Sequence, residues 1–272
     1  MTDRQNRPPI LADKDYSAAS VFAPANLLRE ARRQKGVPEI AMPEICILDP
    51  DGDILRALRR DRRAELSPGW ACYHTELYEF EHGGDRFGIV GCAVGASFAV
   101  LLAEELFVSG CRFLISMTSA GQIVARGATP YFVVIERALR DEGTSYHYLP
   151  PGEFAAADPA LVAIAMAALD DVGPRVHCGA SWTTDAPFRE TAAAIEAARA
   201  KGVLAVEMEA AALYAFAEAR GKAVVCFAHI TNQLGNVEND FEKGVAQGSQ
   251  SALQVIQLTA TAWLARTALS TG

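Results

Sequence analysis

Paired cysteines are absent from this sequence, which limits what its thiols can do. The 272-residue chain has six cysteines, scattered singly and mostly in apolar segments, with no C-x-x-C pair and no histidine-rich cluster. Closely spaced cysteines and histidines are typical of zinc sites, and regular cysteine frameworks are typical of small disulfide-bonded secreted domains. The spacing therefore predicts buried free thiols, with neither a disulfide nor a bound metal.

Excess positive charge and long apolar runs are also missing. The net charge is −8 and the isoelectric point is about 5.2, so the chain lacks the basic surface that nucleic acid requires. No apolar run reaches the roughly 18 residues of a membrane span, and the first residues contain no apolar core like that of a signal peptide. We therefore predict a cytoplasmic protein without nucleic-acid or membrane partners.

A dinucleotide-binding loop is not present either. The segment from Gly88 to Gly95 is rich in glycine and follows an apolar run, but its spacing departs from G-x-G-x-x-G. Ser116 and Thr118 stand at the end of the next predicted strand, where an acidic residue would bind a ribose of the cofactor. This pattern argues against a nicotinamide-dependent oxidoreductase.

The sequence does contain a regular alternation of apolar runs and helical segments. Half of its residues are hydrophobic, which is enough for a large core. Strands alternating with helices favour an α/β fold with a central, mostly parallel mixed sheet flanked by helices. We predict an N-terminal arm with a short helix over residues 1–40 and a single α/β domain over residues 41–272.

Individual strands and helices follow from the same pattern. Strands are predicted at 45–48, 77–81, 87–92, 111–117, 131–136, 176–181, 203–206 and 223–230. Helices are predicted at 25–35, 97–108, 159–171, 191–201, 210–219 and 241–265, with another starting at Asp53. Thr118 to Gly121 is predicted as a tight loop of small residues, and 137–160 as a long polar connection over a site.

Two carboxylates interrupt the apolar segment from Val206 to Tyr214. Glu207 and Glu209 flank Met208 there, at the end of one predicted strand and the start of a helix. A buried carboxylate without a partner costs several kcal/mol, so the pair is expected to serve a ligand. Glu209 could instead be a helix N-terminal residue that interacts with the helix dipole, and Met208 could be ordinary core.

Four segments together resemble the purine nucleoside and uridine phosphorylase family, whose relatives include nucleosidases that use water. The resemblance extends over about residues 45–265 and is sharpest at 202–214, with support from 52–56, 90–95 and 118–121. It implies a nucleoside phosphorylase-like fold, cleavage of a ribonucleoside by inorganic phosphate as co-substrate, and no metal or organic cofactor. It also implies a homo-oligomer built from dimers, commonly a hexamer.

The resemblance also assigns roles to individual residues. Glu209 and Met208 match the ribose-binding pair, Glu207 would orient a neighbour or bind the cationic transition state, and a neighbouring subunit would contribute His74. Phosphate would be bound, and catalysis assisted, by a second group that resembles the phosphate motif of the family. This group consists of Gly52, Arg56 and Thr118.

A third group resembles the base-recognition residues of the family. Phe188 would stack on the base, Arg189 would donate to a carbonyl, and Gly121 would lie beside the base. Asn232 stands where purine-specific relatives carry a catalytic aspartic acid; an amide can hydrogen-bond the base but cannot act as a general acid. This substitution favours a uridine-like or 6-oxopurine nucleoside.

Two departures from the family pattern leave the nucleophile open. Ser116 occupies the position of an arginine that usually binds phosphate, and Tyr73 and His74 occupy the region of an arginine lent across a subunit interface. An N-glycosidase that uses water on the same fold is therefore one alternative. A catalytically inactive nucleoside-binding protein is the other.

Overall fold

The apolar runs of the sequence form one mixed sheet, and the helical segments cover it. The computed structural model describes residues 8–170, 173–234, 238 and 240–270. The strands are β1 (Ile45–Asp49), β2 (Glu65–Leu66), β3 (Tyr78–His82), β4 (Asp85–Gly91), β5 (Phe113–Gln122), β6 (Tyr131–Asp141), β7 (Phe154–Ala156), β8 (Val176–Thr184), β9 (Val203–Glu207) and β10 (Ala223–Asn232). The helices are α1 (Pro24–Lys35), α2 (Asp53–Arg60), α3 (Ala96–Val108), α4 (Pro159–Leu169), α5 (Ala192–Ala200), α6 (Ala210–Arg220) and α7 (Ser249–Ser270).

Strand β5 is the centre of the sheet. It pairs in parallel with β1 and β10, and its last residues pair in the antiparallel sense with β9. Because β10 continues through β6 and β8 to β9, the strands β5, β10, β6, β8 and β9 close a ring, and β1, β4, β3 and β2 extend the sheet outward. The longest ladders, β5 with β10 and β6 with β8, are parallel, which confirms the predicted fold class.

Helices cover both faces of this sheet. One apolar cluster joins the sheet to α3 and α6, and it includes Leu106 and Phe216. A second cluster joins the opposite face to α2, α4 and α7, and it includes Leu58 and Trp263. Fully covered faces explain why β1 is buried at all five of its residues.

Two of the predicted loops are wrong. Thr118 to Gly121 is not a loop but the second half of β5, because its partner β10 supplies a ladder that small residues alone would not favour. Residues 137–160 are not a long connection either. Strand β6 continues to Asp141. The remainder of this segment contains a 3₁₀ turn (Ser145–His147), strand β7 and the start of α4.

A helix lies near each end of the chain, as predicted, although the C-terminal helix is shifted. Helix α1 packs against α3, and Leu28 and Ala31 are fully buried, whereas residues 1–7 lie outside the described part. Helix α7 begins at Ser249 rather than at residue 241, after a 3₁₀ turn (Val245–Gly248). The division at residue 40 stays a prediction. In the described ranges, no helix combines the length and apolarity of a membrane span.

Candidate active site

Residues from three strands meet where β9 and β10 end beside β5. Glu207 is the last residue of β9 and Asn232 the last residue of β10. Gly121 of β5 pairs with Val206 on one side and with Asn232 on the other. The ends of adjacent strands are where α/β proteins place ligands, so this edge is the candidate site.

The carboxylate of Glu207 is fully engaged inside the chain. Its Oε1 accepts hydrogen bonds from Ser181 Oγ at 2.9 Å and from Thr183 Oγ1 at 2.5 Å. Its Oε2 accepts the backbone N–H groups of Glu209 and Ala210, both at 2.7 Å. These four bonds use the four acceptor positions of a carboxylate, so Glu207 fixes the start of α6 and has none left for a sugar hydroxyl.

Glu209 has the opposite arrangement. Its side chain is 1% exposed, and Oε1 accepts the backbone N–H of Gly95 at 2.7 Å. Its Oε2 is buried and has no hydrogen-bond partner among the described residues. A buried carboxylate oxygen without a donor is unfavourable in the free chain, and a ligand hydroxyl would satisfy it.

The two glutamates differ in protonation. Burial, followed by the charge of Glu207, raises the pKa of Glu209 to about 8, against the hydrogen bond from Gly95 and the nearby hydroxyl of Thr118. Burial also raises the pKa of Glu207, but its hydroxyl and backbone donors oppose that shift. Four donors favour the ionised form of Glu207, and Glu209 can donate as well as accept a hydrogen bond near neutral pH.

Arg56 and Gly52 form the predicted anion-binding end of the site. The Arg56 side chain is 60% exposed, and its Nη2 donates to Asp53 Oδ1 at 2.5 Å and to the carbonyl of Asp51 at 2.6 Å. Gly52 has φ +74°, and a Cβ there would lie 2.7 Å from both Arg56 Nη1 and Cys92 Sγ. Glycine thus permits the left-handed turn and the approach of the guanidinium.

Three aspartates surround this turn, and a lysine from far along the chain offsets them in part. Lys243 Nζ lies 2.5 Å from Asp53 Oδ2 and 3.6 Å from Asp51 Oδ1. Asp51 Oδ2 accepts the backbone N–H of Ser119 at 2.8 Å. Burial raises the pKa of Asp49 to about 7. The two cations, Arg56 and Lys243, therefore face a local excess of carboxylates.

Beneath this turn lies a cavity of about 20 Å³, which is room for about one water molecule. Asp49, Asp51 and Asp53 line one side and Thr118 and Ser119 another. His229 also lines it, and burial lowers the pKa of this ring to about 4, so it is neutral. Ser116, in the position of the missing arginine, is 1% exposed and its Oγ has no partner among the described residues.

Gly121 and Asn232 lie together at the end of β5. A Cβ on Gly121 would lie 3.3 Å from Asn232 Oδ1 and 2.2 Å from Leu234 Cδ2, so a larger residue would require the Leu234 side chain to move. The Asn232 amide accepts from the N–H of Leu234 at 2.9 Å and donates to Thr231 Oγ1 at 3.2 Å. Among the predicted base-binding residues, these two are therefore adjacent.

The other predicted contacts are more loosely connected with this edge. Phe188 is 98% exposed, on the 3₁₀ turn Pro187–Arg189, and Arg189 shares that turn. His74 is exposed, and its Nδ1 lies 3.9 Å from Cys72 Sγ. Met208 is half-buried beside Glu209. Their predicted contacts with base and ribose stay predictions.

Several residues of this site were not predicted from the sequence. Gly95, Ser181 and Thr183 bond to a predicted glutamate from 24 to 114 positions away, and Lys243 bonds to Asp53, next to the predicted Gly52, from 190 positions away. Two of them had a signal: Gly95 ends a segment of the family resemblance, and Thr183 begins the stretch that resembles the base-recognition loop of the family. The partners of the others are set by the sheet topology.

Curated relatives match parts of the chain at low identity. A guanosine phosphorylase of Halorubrum lacusprofundi is 26% identical over 54% of this chain, which spans 61% of that protein. A DeoD-type purine nucleoside phosphorylase of Streptococcus uberis is 27% identical over 60% of this chain and 70% of its own. A uridine phosphorylase of Thermococcus kodakarensis is 25% identical over 67% and 70%, respectively.

Solved structures and the family pattern match more of the chain. Uridine phosphorylase from Vibrio fischeri superposes with a TM-score of 0.68 at 20% identity, over 81% of this chain and 93% of that one. Purine nucleoside phosphorylase from Toxoplasma gondii, in complex with immucillin-H, gives 0.69 at 18% identity, over 84% and 93%. These likenesses show the fold. The sequence pattern of the phosphorylase superfamily matches residues 44–262, and the chain therefore belongs to that superfamily.

Proposed function

We propose that this protein is an enzyme that cleaves the N-glycosidic bond of a ribonucleoside with inorganic phosphate, giving ribose 1-phosphate and the free base. The observation that carries the proposal is Glu209 Oε2, a buried carboxylate oxygen that lacks a partner in the described chain and lies at the edge where the strands end. The relatives named above as purine nucleoside and uridine phosphorylases support the reaction type.

Glu209 binds the ribose in this proposal. Its two oxygens suit two adjacent sugar hydroxyls, and Oε2 is available while Gly95 holds Oε1. Glu207 acts as a positioning residue, because its four bonds fix the backbone from which Glu209 projects. Met208 offers an apolar surface to the sugar ring, and His74 of a second subunit is the remaining sugar contact.

Phosphate binds at the turn between β1 and α2. Arg56 provides a planar donor fork, Gly52 an unhindered backbone, and Thr118 a hydroxyl. Lys243 adds a second cation that the sequence alone did not predict. Because the Arg56 side chain is 60% exposed, it can turn from Asp53 toward the anion.

The chemical step needs positioning and charge rather than a resident cofactor. The C1′–N bond breaks with its electron pair leaving on the base, and a phosphate oxygen forms the new bond to the anomeric carbon. Bound phosphate stabilises the oxocarbenium-like sugar between these events. Asn232 hydrogen-bonds the departing base, which takes its proton from solvent because an amide cannot supply one.

Base selection falls to the residues around Asn232. Gly121 lets that amide and the Leu234 side chain approach the end of β5, Phe188 stacks on the base, and Arg189 donates to a carbonyl oxygen. A carbonyl-bearing base, uridine-like or 6-oxopurine, fits these donors. The working form is a cytoplasmic homo-oligomer built from dimers, which the proposed use of His74 from a second subunit requires.

Hydrolysis is the second candidate, and three observations favour it. Asp51 already accepts the Ser119 N–H, a donor that phosphate would otherwise use. Ser116 replaces a cationic side chain. The cavity beneath the turn, at about 20 Å³, has room for a water molecule rather than a phosphate ion. The same ribose and base contacts would then serve a nucleosidase.

One assay separates these functions. Purified protein is incubated with uridine, inosine and adenosine, with and without phosphate, and the sugar product is identified. We expect base release that requires phosphate and yields ribose 1-phosphate. Release of free ribose at an unchanged rate without phosphate would establish the nucleosidase instead, and no turnover despite nucleoside binding would establish an inactive binding protein.

A further inference from the structure

Three potential metal ligands converge on the loop between β2 and β3, away from the strand-end site. Cys72 and His74 lie on this loop, and Glu105 lies on α3. Cys72 Sγ, an imidazole nitrogen of His74 and a carboxylate oxygen of Glu105 all lie within 4.8 Å of one another. Thiolate, imidazole and carboxylate are the three ligand types that zinc accepts in proteins.

Glu105 is the observation that points to a ligand. Its side chain is 2% exposed, and neither carboxylate oxygen has a hydrogen-bond partner among the described residues. An ionised carboxylate in that position is strongly unfavourable unless a cation or several donors compensate it. The neighbouring Cys72 thiol is only a weak donor, so it does not satisfy the carboxylate.

The geometry is close to that of a tetrahedral metal centre. Cys72 Sγ lies 3.9 Å from His74 Nδ1. Zinc bonds of about 2.3 Å to sulfur and about 2.0 Å to nitrogen place those two atoms about 3.5 Å apart. The observed separation of these two atoms is therefore within about 0.5 Å of the separation in a zinc site.

Two hydrogen bonds hold the Cys72 side of the group in place. The backbone N–H of His74 donates to Cys72 Sγ at 3.3 Å, and the ammonium group of Lys35 donates to the carbonyl of Cys72. Cys72 is 1% exposed and His74 is exposed, so one side of the group faces solvent.

We propose that Cys72, His74 and Glu105 bind one zinc ion, or a similar thiophilic divalent cation, with a fourth position open to solvent. The isolated cysteines of the sequence predict no such site, because Glu105 comes from a helix 31 residues beyond His74. The site lies apart from the nucleoside site of its own chain: Glu105 lies ten residues along α3 from Gly95, which corresponds to about 15 Å of helix. A metal-bound His74 could not also contact the ribose of a second subunit, so these two roles of His74 exclude each other. Metal here would join α3 to the loop.

Cobalt substitution tests the proposal directly. The full chain is freed of metal with a chelator and titrated with Co²⁺ and Zn²⁺. We expect one ion per chain, a thiolate-to-cobalt charge-transfer band, and a rise in melting temperature with Zn²⁺. Cys72→Ser should abolish the band. His74→Asn and Glu105→Gln should weaken Zn²⁺ binding by more than about 100-fold, since even outer-shell partners are worth about 10-fold to 100-fold.

Cys178→Ser is the matched control. This thiol also lies beside a carboxylate, with Sγ 3.7 Å from Glu136 Oε2, but it belongs to no three-ligand group in the described residues. The Cys178→Ser variant should bind metal with the same stoichiometry and affinity as the unmodified chain. Absence of stoichiometric uptake, or a charge-transfer band that survives Cys72→Ser, would overturn the proposal. Because His74 is exposed, His74→Asn keeps the test valid if Glu105→Gln does not fold.

Discussion

Glu207 Oε2 accepts the backbone N–H of Glu209 at 2.7 Å, so one buried glutamate holds the main chain from which the other projects. The first carboxylate is saturated by donors, and the second has an oxygen without one in the described chain. The pair thus combines a fixed support with an unsatisfied acceptor, an arrangement that suits a binding site whose geometry exists before the ligand arrives.

Glu207→Ala should destabilise the fold and impair the site together. It leaves the N–H groups of Glu209 and Ala210 and two hydroxyls without their acceptor, so we expect a loss of about 3 kcal/mol in the free energy of unfolding. Urea unfolding measures this loss. Glu218→Ala, at an exposed position of α6, should change the free energy of unfolding by less than about 0.5 kcal/mol. Equal losses of unfolding free energy in the two variants would contradict the supporting role of Glu207.

Glu209→Gln should change how stability depends on pH. The pKa of Glu209 is about 8 in the folded chain and 4.5 at its ordinary value, so the folded state binds this proton more tightly. The contribution of this proton to the stability of the folded chain is complete below about pH 4.5 and is lost as pH rises through about 8. When the free energy of unfolding is measured at each pH, the value for the variant should therefore rise by about 2 kcal/mol relative to that of the unmodified chain between about pH 6 and pH 8.

The same variant should lose activity, which separates ligand binding from folding. Turnover of a ribonucleoside above about pH 8, where Glu209 is ionised, should fall at least about 100-fold, since a buried hydrogen bond to a charged group is worth about 1.5 to 3 kcal/mol and two hydroxyls are affected. Glu218→Gln is the control for both measurements. A Glu209→Gln protein with unchanged turnover would refute ribose binding by this residue.

The fold was predictable because buried strands and capped helices leave local signals, whereas long-range partners leave none. Ile45 to Leu48 and Ala210 to Ala219 were predicted within about two residues. Thr118 to Gly121 was misassigned because its small residues form a strand only through pairing with β10. Lys243 reaches Asp53 across 190 positions, a contact that only the topology determines.

Gly52→Ala should damage the proposed anion site more than the fold. A left-handed alanine costs about 1 to 2 kcal/mol, and the added Cβ also displaces the Arg56 guanidinium, 2.7 Å away. Gly84→Ala is a matched control, since Gly84 has φ +90° and nothing within 4 Å of a Cβ. Both variants should lose similar stability, but only Gly52→Ala should raise the KM for phosphate, by at least about tenfold. An equal KM for phosphate in the two variants would argue against phosphate binding at the turn that contains Gly52.

Phe188→Ala should weaken nucleoside binding without affecting folding. The ring is 98% exposed in the single chain, so removing it should change the unfolding free energy by less than about 0.5 kcal/mol. Loss of stacking on the base should raise the nucleoside KM by about threefold to tenfold. Phe22→Ala, which removes another exposed ring, should leave that KM unchanged. An unchanged KM in Phe188→Ala would remove this residue from the site.

Asp51→Asn tests which nucleophile the site is built for. The amide oxygen of asparagine can still accept the Ser119 N–H, so the variant removes a charge while keeping the hydrogen bond. If phosphate binds beside Arg56 and Lys243, loss of this negative charge should lower the KM for phosphate by about fivefold. If water is the nucleophile, Asp51 is a carboxylate lining the water-sized cavity, and the rate of base release should fall instead. Steady-state kinetics with phosphate varied distinguish the two, and Asp61→Asn, at an exposed position after α2, controls for the change in net charge.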